Sequence, residues 1–226
     1  WDDLVKSLSA AGLSVRTKEY VTGTLRRILK FAYDRRVVPN PPPTGKRIGC
    51  TGPGNSNRRT RVITSAEEVA ILDMLKDTDP CAERFVRFGF LTGARSSEIS
   101  ALKWGQVDFV RGVVQFVDTK NKDSRELPLS SAVLALLQSL PMGKPDEHVF
   151  GMSKGAPYTQ APSAYFTAVE KLGLNEGRTA HDRITFHSIR HTVATNLARA
   201  LSIRELMDVM GWRVMAMAAR YIKSND

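Results

Sequence analysis

His187-Ser188-Ile189-Arg190-His191-Thr192-Val193-Ala194-Thr195 is the stretch on which the reading of this chain turns. It sets an imidazole three residues before a guanidinium, inside a run that has the composition of a helix. Downstream lie Met210-Gly211-Trp212 and then Arg220-Tyr221; upstream, Arg95 follows a Thr92-Gly93-Ala94 bend and Lys120 sits among turn-forming residues. Together these supply a phenolic nucleophile, two guanidiniums that stay charged near neutrality, an imidazole, an ammonium and an indole N–H, with no carboxylate cluster suited to a metal. Such a set is suited to attack on a phosphodiester.

Five segments in this order resemble the tyrosine recombinases, the phage integrase family. Thr92-Gly93-Ala94-Arg95-Ser96-Ser97-Glu98-Ile99, with Leu102-Lys103-Trp104 behind it, looks like the box that carries the first catalytic Arg. Thr119-Lys120 followed by Arg125-Glu126-Leu127-Pro128-Leu129 looks like the Lys hairpin, and the His187 to Thr195 stretch matches the His-x-x-Arg box. Gly211-Trp212 and Arg220-Tyr221 resemble the last two boxes, although Trp212 stands where most members have His and Ala218 where Thr is common. An ordered set of boxes over residues 62–221 is far more specific than any one motif.

Charge is distributed unevenly. The formal net charge is +10, which points to a polyanionic partner. Residues 1–61 hold 13 Lys and Arg against 4 Asp and Glu, whereas residues 62–226 hold 20 against 19, so almost all of the excess lies in the N-terminal quarter. Cys50 and Cys81 lack C-x-x-C spacing, so neither a disulfide framework nor a zinc ribbon is indicated, and a reducing cytosol is the plain reading. No apolar run approaches membrane-spanning length, and a start at Trp1 in place of Met reads as a cut chain.

The pattern predicts a mainly helical protein with a small three-stranded antiparallel sheet. Val5, Leu8, Tyr20, Leu25, Ile28, Leu29 and Ala32 predict two short helices ending near Val38, with a basic face that includes Arg26, Arg27 and Lys30. Pro39 to Arg61, rich in Pro, Gly, Asn and Ser, reads as a linker carrying Lys46, Arg47, Arg58, Arg59 and Arg61. Ser65 and Glu68 fit a capping box at the head of the next helix. Helices are expected over about 82–91, 96–103, 132–139, 161–172, 188–201 and 202–210, and strands over 107–109, 113–117 and 126–129, which sets Lys120 at the mouth of a hairpin. The resemblance implies three parts: the end of a helical core-DNA-binding domain (1–40) whose first part is missing, a linker along DNA (41–61), and a catalytic domain (62–226).

Roles follow from the chemistry once the boxes are assigned. Arg95 and Arg190 are assigned to the non-bridging phosphate oxygens, since a planar guanidinium grips two acceptors and remains charged. Taken singly, either would be read as a surface or ion-paired residue. Lys120 is the expected general acid for the leaving 5′ oxygen, and His187 accepts the Tyr221 proton or hydrogen-bonds the phosphate. Trp212 can donate only through its indole N–H and pack the pocket. Glu98 could orient the Arg95 guanidinium or merely favour a helix N-terminus. His191 points about 100° away from Arg190 on a helix and reads as structural; His148 and His181 receive no role. Lys46, Arg47, Arg58, Arg59, Arg61, Arg26, Arg27 and Lys30 are the expected DNA-binding residues.

Exchange of one phosphoester for another requires neither ATP nor a metal, so no cofactor is expected. The resemblance implies a site-specific recombinase or integrase acting on double-stranded attachment sites as a homotetramer. Accessory DNA-bending or directionality proteins are possible partners, no membrane is expected, and the location would be the bacterial host cytoplasm or nucleoid. A type IB topoisomerase shares the covalent chemistry, and a DNA-binding module that has lost activity is the alternative from another class.

Overall fold

Ser14 opens the longest helix among the described residues, which in the computed structural model are 1–43, 61–118, 123–179 and 181–222. Its backbone is extended at ψ 153° and its Oγ accepts the Thr17 N–H at 3.2 Å, which satisfies one of the first-turn donors that a helix leaves unpaired. This helix, α2 (Val15–Asp34), packs against α1 (Asp2–Ala10). The second of the two expected helices is therefore long, and it stops four residues before Val38. Arg36 enters the left-handed region at φ 59°, which lets the Val37 N–H reach back to the Ala32 carbonyl at 2.9 Å and closes the last turn. Arg26, Arg27 and Lys30 are exposed on α2, with Arg27 donating to Thr24 Oγ1 at 3.1 Å and Lys30 paired to Asp34 at 3.0 Å.

The chain divides into two compact units, Trp1–Asn57 and Arg58–Asp226. The second unit begins with a helix, α3 (Ser65–Thr78), whose capping box is Thr64 and Glu67, one residue earlier than the expected Ser65 and Glu68 pair. Both pairs satisfy the same spacing rule. The difference is that Thr64 takes the extended conformation and Ser65 is already helical.

At the centre of this unit lies α4 (Pro80–Thr92), started by Pro80 in its first turn and by the Asp79 carboxylate accepting the Ala82 N–H at 3.0 Å. Most of its side chains are buried, and it packs against α3, α5 (Ser96–Ala101), α6 (Ser131–Gln138), α7 (Ser163–Lys171) and α8 (Phe186–Leu197). Phe85 of α4 is the hub of an aromatic cluster, with ring centroids 5.1 Å from Tyr158, 5.6 Å from Phe186 and 5.9 Å from Phe150, all near edge-to-face. Gly93 ends α4 at φ 64° and turns the chain directly into Ala94 and Arg95.

After a 3-10 turn at Trp104–Gln106 comes the sheet, ordered β1 (Val107–Asp108), β2 (Val113–Asp118) and β3 (Asp123–Pro128), antiparallel throughout. β1 is one residue shorter than expected, and β3 starts at Asp123, three residues ahead of the expected Glu126. The β2–β3 pairing runs on through Val117↔Ser124 to Asp118↔Asp123, taking into the ladder two residues that read as turn. Lys120 lies outside the described residues, as do Lys46, Arg47, Arg58 and Arg59.

The last three helices are α8, α9 (Ile203–Met210) and α10 (Met215–Ile222). They close a second, smaller core made of Ala194, Ala198, Leu206, Met210, Trp212, Ala218 and Tyr221. α9 has the anticipated Ser202 and Glu205 capping box, whereas α10 has no counterpart among the expected elements. α8 is tied to the start of the unit by Thr192, whose Oγ1 accepts the Ile63 N–H and donates to the Ser188 carbonyl, both at 2.8 Å. Among the described residues no helix is long and apolar enough to cross a membrane, and no group of three or more His, Cys, Asp and Glu could hold a metal ion.

Candidate active site

Arg95 caps α5, and its position follows from the left-handed turn at Gly93 two residues before it. Its backbone N–H donates to Glu98 Oε2 at 2.7 Å, and its guanidinium Nη1 donates to Glu98 Oε1 at 2.6 Å. Glu98 therefore does both things open to it in the sequence: it caps the helix and it holds the guanidinium. The Arg95 side chain is nonetheless 44 % exposed, so donors remain free to face a ligand.

Arg190 is held differently. Its residue exposure is 3 %, and its Nη1 donates to the Gly93 carbonyl at 2.8 Å while Nη2 donates to the Met210 carbonyl at the end of α9. Two of five N–H donors are thus spent on the scaffold. Burial pushes its pKa down to about 10, the neighbouring Arg95 charge adds to that shift, and Glu98 and Tyr221 oppose it. The group remains cationic at neutral pH.

Arg95, His187 and Arg190 line one cleft of about 230 Å³ with Ala94, Ser96, Ser97 and Phe186. Arg95 also lines a larger cleft, about 860 Å³, together with Glu98, Arg125, Gly211 and Trp212. It stands where the two meet. Two guanidiniums, Arg95 and Arg125, pair with Glu98, and Asp208 is the other carboxylate lining the larger cleft. Burial by itself would raise the Glu98 pKa, but the charge and hydrogen bond of Arg125, with Arg95 behind them, outweigh burial and hold it below its ordinary value. The surplus of positive charge is what a phosphate entering this region would meet.

Tyr221 lies on α10, 8 % exposed, between two rings. Trp212 stacks on it at 5.1 Å between centroids and 13° between planes, and His191 tilts against it at 5.1 Å and 51°. Trp212 is also 5.6 Å from the Arg190 guanidinium carbon. Trp212 thus packs on the phenol ring. His191, read as structural, has its ring packed against that of Tyr221.

Two further residues differ from expectation. Arg61, expected on DNA, has a side chain only 16 % exposed, with Nη2 paired to Glu67 and Nη1 donating to the Val62 carbonyl at 3.1 Å. The pairing holds its charge against the start of α3. Arg125 was not foreseen as part of the site. It donates from Nη2 to Glu98 Oε2 at 2.9 Å and from Nη1 to the Val209 carbonyl at 2.5 Å, with its guanidinium 4.6 Å over the ring of its cross-strand partner Phe116. Among the other histidines, His148 Nδ1 is 2.8 Å from the Ser100 carbonyl.

Comparison with known proteins identifies the family. Residues 61–226 match the model of the phage integrase family, and the chain belongs to that family. It is similar to the shufflon-specific DNA recombinase of Escherichia coli, 28 % identical over 173 residues that cover 75 % of this chain and 41 % of the relative. Its fold is similar to that of the Tn1549 transposon integrase in complex with a circular intermediate DNA, with a TM-score of 0.77 at 18 % identity over 96 % of this chain and 78 % of that one. A lambda integrase dimer bound to a COC′ core site is also similar, with a TM-score of 0.73 at 16 % identity over 97 % and 77 % of the two chains. The chain spans about half the length of the curated relatives it matches.

Proposed function

We propose that the chain is the strand-transferring part of a site-specific DNA recombinase or integrase. Tyr221 is the nucleophile: its oxygen attacks the scissile phosphorus, the bond to the 5′ oxygen breaks, and a 3′-phosphotyrosine forms while a 5′ hydroxyl leaves. The hydroxyl of the partner strand reverses the step, so the phosphoester bond energy is conserved and no nucleotide is hydrolysed. The observation that carries this reading is the shared cleft of Arg95, His187 and Arg190, with Tyr221 stacked at 5.1 Å on Trp212, whose ring is itself 5.6 Å from the Arg190 guanidinium.

Arg95 and Arg190 hold the non-bridging oxygens, whose charge grows as phosphorus becomes pentacoordinate; donors already fixed by Glu98, Gly93 and Met210 need little rearrangement at that moment. His187 accepts the Tyr221 proton or hydrogen-bonds the phosphate. Lys120 protonates the leaving oxygen. Trp212 keeps the phenol ring in register through stacking.

In this reading residues 1–40 are part of a core-DNA-binding domain and 41–61 a linker, with Lys46, Arg47, Arg58, Arg59, Arg26, Arg27 and Lys30 near phosphates. The partners are duplex attachment sites and further copies of the chain in a tetramer, together with accessory DNA-bending or directionality proteins, in a bacterial cytoplasm or nucleoid. The test is incubation of the full chain with nicked duplexes, in which the short fragment that bears the new 5′ hydroxyl diffuses away, followed by denaturing electrophoresis. A DNA-linked protein band is expected. Binding without any band would favour an inactive DNA-binding module, and relaxation of supercoiled plasmid by a monomer without strand exchange would favour a topoisomerase.

A further inference from the structure

We propose that Arg125 of β3 is a positioning residue for strand cleavage, locking Glu98, and through it the Arg95 guanidinium, onto the carbonyl end of α9. This rests on the phosphotyrosine reading above.

Arg125 joins three elements. Nη2 reaches Glu98 of α5 at 2.9 Å, Nη1 reaches the Val209 carbonyl of α9 at 2.5 Å, and the guanidinium plane is held by Phe116 of β2 at 4.6 Å. Its side chain is 14 % exposed, against 44 % for Arg95. Arg125 is thus the buried, fixed member of the chain of contacts and Arg95 the open one. An Arg that is nearly half exposed has several rotamers to choose from, and holding one of them costs entropy. A carboxylate pinned from behind offers it a stationary acceptor, so its remaining donors point in one direction.

The end of α9 makes the arrangement specific. Successive carbonyls there serve the two buried guanidiniums, Val209 for Arg125 and Met210 for Arg190, at the pole where a helix presents partial negative charge. Arg95 is therefore referred, by way of Glu98 and Arg125, to the same helix end that anchors Arg190. The two guanidiniums assigned to one phosphate share one foundation. Gly211 fits this arrangement: a Cβ there would stand 2.8 Å from Arg125 Nε, so a side chain at that position would displace the Arg.

The experiment measures single-turnover adduct formation by the full chain on a nicked duplex, selected by adduct formation from a randomised-sequence library. The variants are Arg125→Met, Arg95→Ala and the double variant, with DNA affinity measured separately. Since a misplaced catalytic group can cost about a hundredfold, Arg125→Met is expected to slow cleavage by roughly ten- to a hundredfold, with affinity changed less than about threefold. In the Arg95→Ala background the same substitution should cost less than about threefold, because its effect passes through Arg95. Equal factors in the two backgrounds, or an unaltered rate in Arg125→Met, would overturn the proposal. Should Arg125→Met not fold, Arg125→Lys decides: it keeps the charge but cannot bridge Glu98 and Val209 at once, so a folded Arg125→Lys protein cleaving at the unaltered rate sinks the idea. No adduct from the unaltered chain would sink the phosphotyrosine reading and this proposal with it; an adduct from the unaltered chain together with equal factors in the two backgrounds sinks this one alone.

Discussion

Replacing Gly211 by Ala adds one methyl group, and the structure shows two separate costs. Gly211 caps α9 at φ 62° and ψ 47°, where an L side chain costs about 1–2 kcal/mol. The added Cβ would also fall inside contact distance of Arg125 Cδ and 2.8 Å from Nε, so Arg125 has to withdraw. Its charge-assisted hydrogen bonds to Glu98 and to the Val209 carbonyl are then strained or lost, at about 1.5–3 kcal/mol for a bond of this kind. The expected destabilisation is about 3–5 kcal/mol, which for a unit of this size lowers the melting temperature by roughly 10 °C. Gly112→Ala is the control, because Gly112 has φ 65° and nothing within 4 Å of an added Cβ; it should cost only the backbone share. Urea denaturation of both variants, with unchanged m-values, measures the difference directly. In an Arg125→Ala background the two glycine substitutions should cost the same. A Gly211→Ala protein no less stable than Gly112→Ala would refute the claim that Arg125 occupies and needs that space.

Glu98→Gln tests the carboxylate through pH. Since the Glu98 pKa is depressed in the folded protein, its contribution is fully present above the ordinary value of 4.5 and is lost as the pH falls through the lower folded value. The difference in stability between the unaltered protein and the Glu98→Gln variant should be flat from pH 7 to about pH 5 and should shrink below that in denaturation curves; a difference that widens on acidification contradicts the assignment. Trp212→His should retain most adduct-forming activity, since a ring still lies against Tyr221, whereas Trp212→Ala removes the 5.1 Å stack and should lose at least about tenfold in rate, with a stability loss of up to about 3–5 kcal/mol. If Lys120 is the proton donor, Lys120→Ala should cleave ordinary DNA poorly and recover on a substrate with a 5′-bridging sulfur, a leaving group that needs no proton; without recovery, Lys120 is a binding residue.

The elements legible in the sequence are those with an apolar period and a cap. Ser202 and Glu205 announced α9, and the central helix, expected over about 82–91, runs from Pro80 to Thr92. What escaped depends on contacts between distant residues. α10 became a helix by packing Ala218 and Tyr221 onto α8 and α9, and its short Met- and Ala-rich stretch carries no local cap signal. Helix geometry separates His191 from Arg190 by about 100°, yet gives no indication that Tyr221, thirty residues on, waits in that direction. Arg125 and Val209 are 84 residues apart, and a basic residue in a strand reads as solvent-facing until its partners are known. Arg61 is different, because Glu67 lay close enough to suggest a partner; the strong basic character of residues 1–61 obscured it.

The most direct test of the account is to find the atom to which DNA becomes attached. After trapping on nicked duplexes, proteolysis and mass spectrometry should place a single nucleotide remnant on the peptide containing Tyr221, and Tyr221→Phe should form no adduct while binding duplex DNA with nearly unchanged affinity. An adduct that persists in Tyr221→Phe, or a remnant on any other residue, would contradict it.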